Sequence, residues 1–148
     1  MDRQSLLAHI APCGLDCSKC FASSDGEIKW LSVKLVYLLG NFDKYAERFS
    51  DFLPVFAHYP SFKMLLSYLA HGDCVGCRSG TCRYPQCGVM SCVKMKDVDF
   101  CFQCDEFPCE KSNLDPDLKR RWIIMNERMK EIGVEAYCEE TKDLPRYK

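Results

Sequence analysis

The sequence predicts a mainly α protein, a small single domain of helices packed around an irregular cysteine-rich metal-binding segment. Three observations carry the prediction. Apolar residues recur at helical spacing within 25–70 and again within 116–132, whereas cysteines fall at 13–20 and 74–109, with one more, Cys138, in the tail. A length of 148 residues is one domain's worth, so 1–148 is expected to fold as a unit. Hydrophobic residues make up 47% and charged residues 28%, which leaves no long low-complexity stretch to set aside.

The helical insert comes first. Ser24 followed by Glu27 has the form of a capping box, and Ile28, Leu31, Leu35 and Leu38 then trace one face of a helix over 25–39 that ends before Gly40. Phe42, Tyr45, Phe49, Phe52 and Phe56 continue as an aromatic stripe, broken where Pro54 cannot donate its hydrogen bond, so short helices are expected at 43–52 and 55–58. Another starts near Ser61 and carries Leu65, Leu66 and Leu69. The stripe reads as core-facing packing, the ordinary use of apolar residues at this spacing. After the main cysteine block, Asp115 caps and Pro116 opens a helix whose face is Leu118, Trp122, Met125, Met129 and Ile132, ending at Gly133. Its other face carries Lys119, Arg120, Arg121, Arg128 and Lys130, but Glu127 and Glu131 are interleaved, as on a solvated helix. The tail adds a short helix containing Tyr137 and Cys138.

Twelve cysteines in 148 residues is a density at which composition alone points to cross-links or metal. The compartment decides between them. Met1 to Ile10 carries Asp2, Arg3, Gln4 and His9 and does not resemble a secretion signal, and no apolar run is long enough to span a bilayer, so the expected location is cytoplasmic. There, close cysteine pairs are better explained by metal than by disulfides. The net charge of -1 favours neither nucleic acid nor a membrane as partner, and a protein partner, unidentified, stays open.

The spacing is ordered. Cys74, Cys77 and Cys82 form Cys-x2-Cys-x4-Cys, and Cys101, Cys104 and Cys109 repeat it 27 residues later; Cys13, Cys17 and Cys20 make a third triplet, and Cys87 and Cys92 stand singly between the repeats. Two cysteines flanking a tight turn direct both sulfurs to one ion, with the remaining tetrahedral ligands coming from elsewhere in the chain. All eleven are candidate metal ligands. Two four-thiol sites use eight of them; three sites require a twelfth ligand, either His71 or Cys138. Cys138 alone in the tail reads as a buried apolar thiol, and His9 and His58 have no ligand-like spacing.

The run Cys13-Gly-Leu-Asp-Cys17-Ser-Lys-Cys20, then Cys74-Val-Gly-Cys77 after a helical insert, then the cysteines ending in Phe-Cys101-Phe-Gln-Cys104-Asp-Glu-Phe-Pro-Cys109, resembles the domain-of-unknown-function family 3795 of bacterial and archaeal proteins. The resemblance covers about 13–109, and the helix ending at Gly133 is similar. It implies a cysteine-rich metal-binding protein of prokaryotic cytosol, with Cys13, Cys17, Cys20, Cys74, Cys77, Cys82, Cys87, Cys92, Cys101, Cys104 and Cys109 carried over, and no activity.

Three classes of function follow. A structural zinc protein with a binding or scaffolding role is the first, metal replacing part of the core a small chain lacks. An iron–sulfur protein in electron transfer or redox sensing is the alternative, since thiolates serve both, although these spacings are not those of the common ferredoxins. A metal-dependent enzyme is the third: Cys13-x3-Cys17-x2-Cys20 has the spacing of the radical S-adenosylmethionine motif, but the repeated strand–helix units of that barrel are absent. No phosphate-binding glycine loop or paired-histidine motif occurs, and Asp105, Glu106 and Glu110 read as exposed loop acids, so no catalytic residue is named.

Overall fold

A computed structural model of the chain describes residues 2–80 and 82–147. It is mainly helical, and the described residues form no strands. The α-helices are α1 (Arg3–His9), α2 (Glu27–Leu39), α3 (Asp43–Ser50), α4 (Tyr59–Ala70), α5 (Val89–Lys96), α6 (Pro116–Ile132) and α7 (Val134–Thr141). Single 3-10 turns occur at Cys17–Lys19, Pro54–His58 and Cys101–Gln103. Among the described residues, no helix is long and apolar enough to cross a membrane. The chain folds into two compact units, one of Met1–Ser18 with Val75–Lys148, the other of Lys19–Cys74.

The first unit carries ten of the twelve cysteines, all but Cys20 and Cys74. Its α6 begins as its sequence dictates: Asp115 accepts from the N–H groups of Asp117 and Leu118, Pro116 occupies the first turn, and Gly133 ends the helix at a φ of 85°. The inward face carries Trp122, Asn126 and Met129. Two apolar clusters flank it. Met129 packs with Leu6, Ile10, Phe100, Tyr137 and Cys138, while Trp122 packs with Val89, Val93 and Cys101. Cys138 is thus the buried core thiol its isolation suggests. Three basic residues of α6 are ion-paired locally: Lys119 with Glu110, Arg120 with Asp117, and Arg128 with Glu131 and Glu140. α1 and α5 are absent from the sequence-based prediction. α1 is short and capped by Asp2, which accepts from the Ser5 N–H at 2.9 Å; α5 lies inside the segment expected to be irregular and brings Cys92 with it.

In the second unit α2 packs along α4, and Lys29 reaches across to the Gly72 carbonyl at 2.9 Å. Two expectations are corrected there. The N-cap of α2 is Gly26, with no side-chain cap, and Ser24 instead donates to Asp25. The face expected to be buried is also turned outward: Leu31, Leu35 and Leu38 are exposed, and Ser32 is the buried residue, its hydroxyl satisfied by the Ile28 carbonyl at 2.7 Å. The aromatic stripe does pack. Phe42 stacks on Phe49 and meets Phe56 and Tyr59, with centroids 5.2–5.9 Å apart, and Phe49 also meets Phe52 and Phe56. Tyr45 and Phe52 stay largely exposed, Tyr45 beneath the Arg48 guanidinium.

Candidate metal centre

All twelve cysteines are unbridged thiols. The fold does not keep the sequence triplets together. Cys20 and Cys74 belong to the second unit, where the Cys74 N–H donates to the Ala22 carbonyl at 2.8 Å and the Cys74 carbonyl accepts from Ser24 at 2.9 Å. The other nine candidates belong to the first unit and form two groups.

One group is built around α5 and the Cys101–Gln103 turn. The turn is pinned at its entry by the Gln103 side-chain oxygen, which accepts from the N–H groups of Asp99 and Phe100 at 2.9 Å, and by the Cys101 N–H donating to the Pro12 carbonyl. Cys101 and Cys104 project from this turn, Cys92 from α5 and Cys109 from the loop that follows, and all four line one small cavity of about 20 Å3 closed by Val93, Phe107 and Trp122. Phe107 and Trp122 meet edge to face at 4.8 Å. The Trp122 indole N–H is buried without a conventional partner, yet it lies near enough to the Cys101 sulfur to favour its ionised form. Burial nevertheless dominates, pushing the Cys101 thiol up to about 12. Lys96, at the rim, is ion-paired to Glu106, as is Lys111 at 2.5 Å; their hydrogen bonds, that of Lys111 first, hold the Glu106 carboxyl down at about 2.

The second group is Cys13, Cys17, Cys77, Cys82 and Cys87. Two thiol pairs act on each other's ionisation, Cys17 with Cys77 and Cys82 with Cys87. In each pair the neighbouring thiol favours one thiolate, lowering Cys17 and Cys82, and the partner is raised, Cys77 and Cys87. Cys13 is half-buried, and loss of solvent pushes its thiol up to about 11; the charges of Cys17 and Cys82 act on it, and its own acts on Cys77 and Cys87. The backbone explains the approach. Gly76 takes a φ of 85° immediately before Cys77, and a Cβ there would lie 3.9 Å from the Cys17 Cβ. The Tyr84 N–H donates to the Cys82 sulfur at 3.4 Å, and the Cys87 N–H to the Tyr84 carbonyl at 3.1 Å, closing the loop between those two cysteines.

Several residues that no cysteine spacing reveals hold these groups in place. Asn126, fully buried, donates to the Cys13 and Trp122 carbonyls at 3.0 Å and accepts from the Phe102 N–H at 3.0 Å, so one side chain ties α6 to both cysteine loops. Arg146 donates to the Asp16 carbonyl, and its own carbonyl accepts from Arg121 at 3.0 Å. Its charge acts on Cys13, Cys17 and Cys82. Arg78 lies over the Phe100 ring, 5.1 Å from its centroid, and donates to the Asp99 carbonyl at 2.7 Å. His71 caps α4, its Nδ1 2.7 Å from the Ser67 carbonyl, and belongs to the second unit. Asp105, Glu106 and Glu110 are exposed, as read from the sequence.

Among the described residues, no three Cys, His, Asp or Glu side chains already converge as ligands of one ion. What the fold supplies is two thiol pairs that act on each other's ionisation and four thiols around one cavity.

The family described as a protein of unknown function, DUF3795, matches residues 9–114. No curated protein and no solved structure matches the chain.

Proposed function

The chain belongs to the DUF3795 family, whose description names no function, and we propose that it is a structural metal-binding protein in which Cys92, Cys101, Cys104 and Cys109 hold one zinc ion. The observation that carries this reading is the cavity those four thiols share. At about 20 Å3 it has room for one water-sized body, which suits a single ion and not a multi-iron cluster. The donor set suits zinc as well: a Cys-x2-Cys pair on a tight turn, plus two thiols from other elements. The buried Trp122 N–H, which has no partner, is a donor available to a thiolate sulfur of this group, the kind of outer support that metal-bound sulfur uses. Binding would draw the four sulfurs inward to about 3.8 Å from one another, the separation that Zn–S bonds of about 2.3 Å impose on a tetrahedron. A centre closed by four thiolates has no position for substrate or water, so the reading assigns a scaffolding role and no turnover.

X-ray absorption at the zinc edge of anaerobically purified full-length protein tests this. Four sulfur neighbours per ion, and loss of that ion in the Cys92→Ser/Cys104→Ser variant, are expected. A light-atom ligand would favour an open centre instead. Stoichiometric iron and sulfide with visible colour would replace zinc with an iron–sulfur cluster.

A further inference from the structure

We infer that the chain pairs with a second copy of itself through an apolar strip on the helix pair α2 and α4, the α2 of each copy lying along the α4 of the other. The strip lies in the unit of Lys19–Cys74, which holds none of the proposed zinc ligands, so the inference goes beyond that reading and does not depend on it. The two helices run antiparallel. Near the start of α2, Lys29 donates to the Gly72 carbonyl just past the end of α4, and Phe42, just past the end of α2, meets Tyr59 at the start of α4. That register sets Leu38 level with Phe62, Leu35 with Leu65 and Leu31 with Leu69. The three leucines of α2 fall on one flank of the buried Ser32, and Phe62, Leu65 and Leu69 on one flank of the buried Leu66; antiparallel packing turns both flanks to the same side. α3 occupies the other side of α4, where Asp43 pairs with Lys63 at 3.2 Å. Among the described residues nothing covers the strip: Leu31, Leu35, Leu38, Phe62 and Leu65 are 39–67% exposed.

Size and charge identify the occupant. The strip presents on the order of 500 Å2 of apolar surface, the size at which an exposed patch marks an interaction site, and its rim brings it towards the roughly 800 Å2 per partner of a stable interface. A two-fold contact needs a surface complementary to itself. The strip carries no charge, and the exposed charges at its edge, Glu27 and Lys34, lie on α2 alone, while the matching edge of α4 carries Ser61 and Tyr68. A two-fold axis parallel to the helices keeps every residue at its own level and sets α2 against the α4 of the second copy. Leucines then meet leucines or Phe62 along the whole strip, and Glu27 and Lys34 meet an uncharged edge, so no like charges face each other. The product is a four-helix bundle with its apolar seam closed. A lipid surface fits less well, because a helix lying on one carries a basic polar face, whereas this edge holds one lysine and one glutamate.

Sedimentation velocity of the reduced, zinc-loaded full-length chain over a concentration series tests this. The wild type should be a dimer at micromolar concentration. A monomer throughout the series overturns the inference, and a monomer that floats with phosphatidylcholine–phosphatidylserine vesicles gives the strip to a lipid surface instead. Leu38→Glu, which places two unpaired carboxylates in each dimer interface, should weaken association roughly a hundredfold, while Val33→Glu, on the opposite flank of α2, should leave it unchanged. Equal association of these two variants moves the interface off the strip and overturns the inference. The pairing of α2 with α4 has its own check. Leu35→Glu and Leu65→Lys chains, each a monomer alone, should form a mixed dimer when combined, because the register sets the introduced carboxylate of one against the introduced ammonium of the other. Absence of that dimer, between variants that keep the wild-type circular dichroism, refutes the arrangement. Zinc content read on the same samples keeps this outcome separate from the proposed function, since either can fail while the other stands.

Discussion

Replacing Asn126 with leucine, a side chain of similar size, tests the brace between α6 and the cysteine loops. The substitution removes the donors to the Cys13 and Trp122 carbonyls and the acceptor for the Phe102 N–H. Trp122 keeps the helical partner of its carbonyl, but the Cys13 carbonyl and the Phe102 N–H lose theirs in a site with no exposure at residue 126. Each buried orphan costs about 1–3 kcal/mol, so the variant should lose about 2–6 kcal/mol. Against a usual stability of about 5–15 kcal/mol that is a large fraction. At this chain length it corresponds to a melting point lower by on the order of 10 °C. Urea and thermal unfolding at fixed, saturating zinc would measure it. Asn126→Asp provides the companion, because it keeps an acceptor for Phe102 but turns an oxygen towards two carbonyls. Burial raises the folded pKa of such a carboxyl, so the variant should lose stability as pH rises above about 4, the reverse of an ion-paired carboxylate. A leucine variant within about 1 kcal/mol of wild type would refute the reasoning, since it would mean that both freed groups find other partners.

Other substitutions probe the same framework. Gly14 holds a φ of 93° between Cys13 and Cys17, and a Cβ there would lie 2.7 Å from the Met125 Cβ, so Gly14→Ala should cost about 2–4 kcal/mol in urea unfolding, from left-handed strain plus overpacking. Tyr137 donates to the Gly14 carbonyl at 3.0 Å, and Tyr137→Phe should cost about 1 kcal/mol. Burial raises the Tyr137 hydroxyl to about 12, so its contribution is complete below the unfolded value near 10 and is lost as pH rises from about 10 through 12; the phenylalanine variant should lack that alkaline slope.

The elements legible in the sequence were those with local signals. Asp115, Pro116 and Gly133 delimit α6 because caps act within a turn, and the tail helix with its buried Cys138 follows from simple periodicity. α2 shows where periodicity fails. It is apolar nearly all round, with Trp30, Val33, Val36 and Tyr37 beside the leucines, so spacing cannot choose the buried face, and the fold buries Ser32. α5 escaped because Val89 and Val93, its buried pair, are too few to stand out in a cysteine-rich stretch. The cysteines were all visible as candidates, but their partners were not. Cys17 acts on the ionisation of Cys77 across 60 positions of chain, and single Cys92 joins the last triplet only because α5 carries it there. Asn126 and Arg146 act through long-range hydrogen bonds that no local spacing records.

The stretch 75–88 gives the clearest energetic reason for metal. None of its described residues is buried. Its order rests on backbone hydrogen bonds, from Ser79 and Gly80 to the Gly76 carbonyl, from Cys87 to Tyr84 and from Gly88 to Ser112, and on side-chain ties from Arg78 to the Asp99 carbonyl and from Asn113 to the Gln86 carbonyl. Fixing a backbone costs about 1 kcal/mol or more per residue, so the described residues of this stretch need something on the order of 13 kcal/mol that apolar burial alone does not supply. A structural zinc ion contributes about 10–16 kcal/mol in small metal-dependent folds. Cys77, Cys82 and Cys87 are the thiols that this stretch carries. Limited proteolysis and amide exchange of the intact chain should therefore show this stretch opening first when zinc is chelated, while α6, braced by two apolar clusters, stays protected. Cleavage and exchange within 75–88 that are the same with zinc and with chelator would mean that the loop is held by other forces, and that any ion bound there is not what orders it.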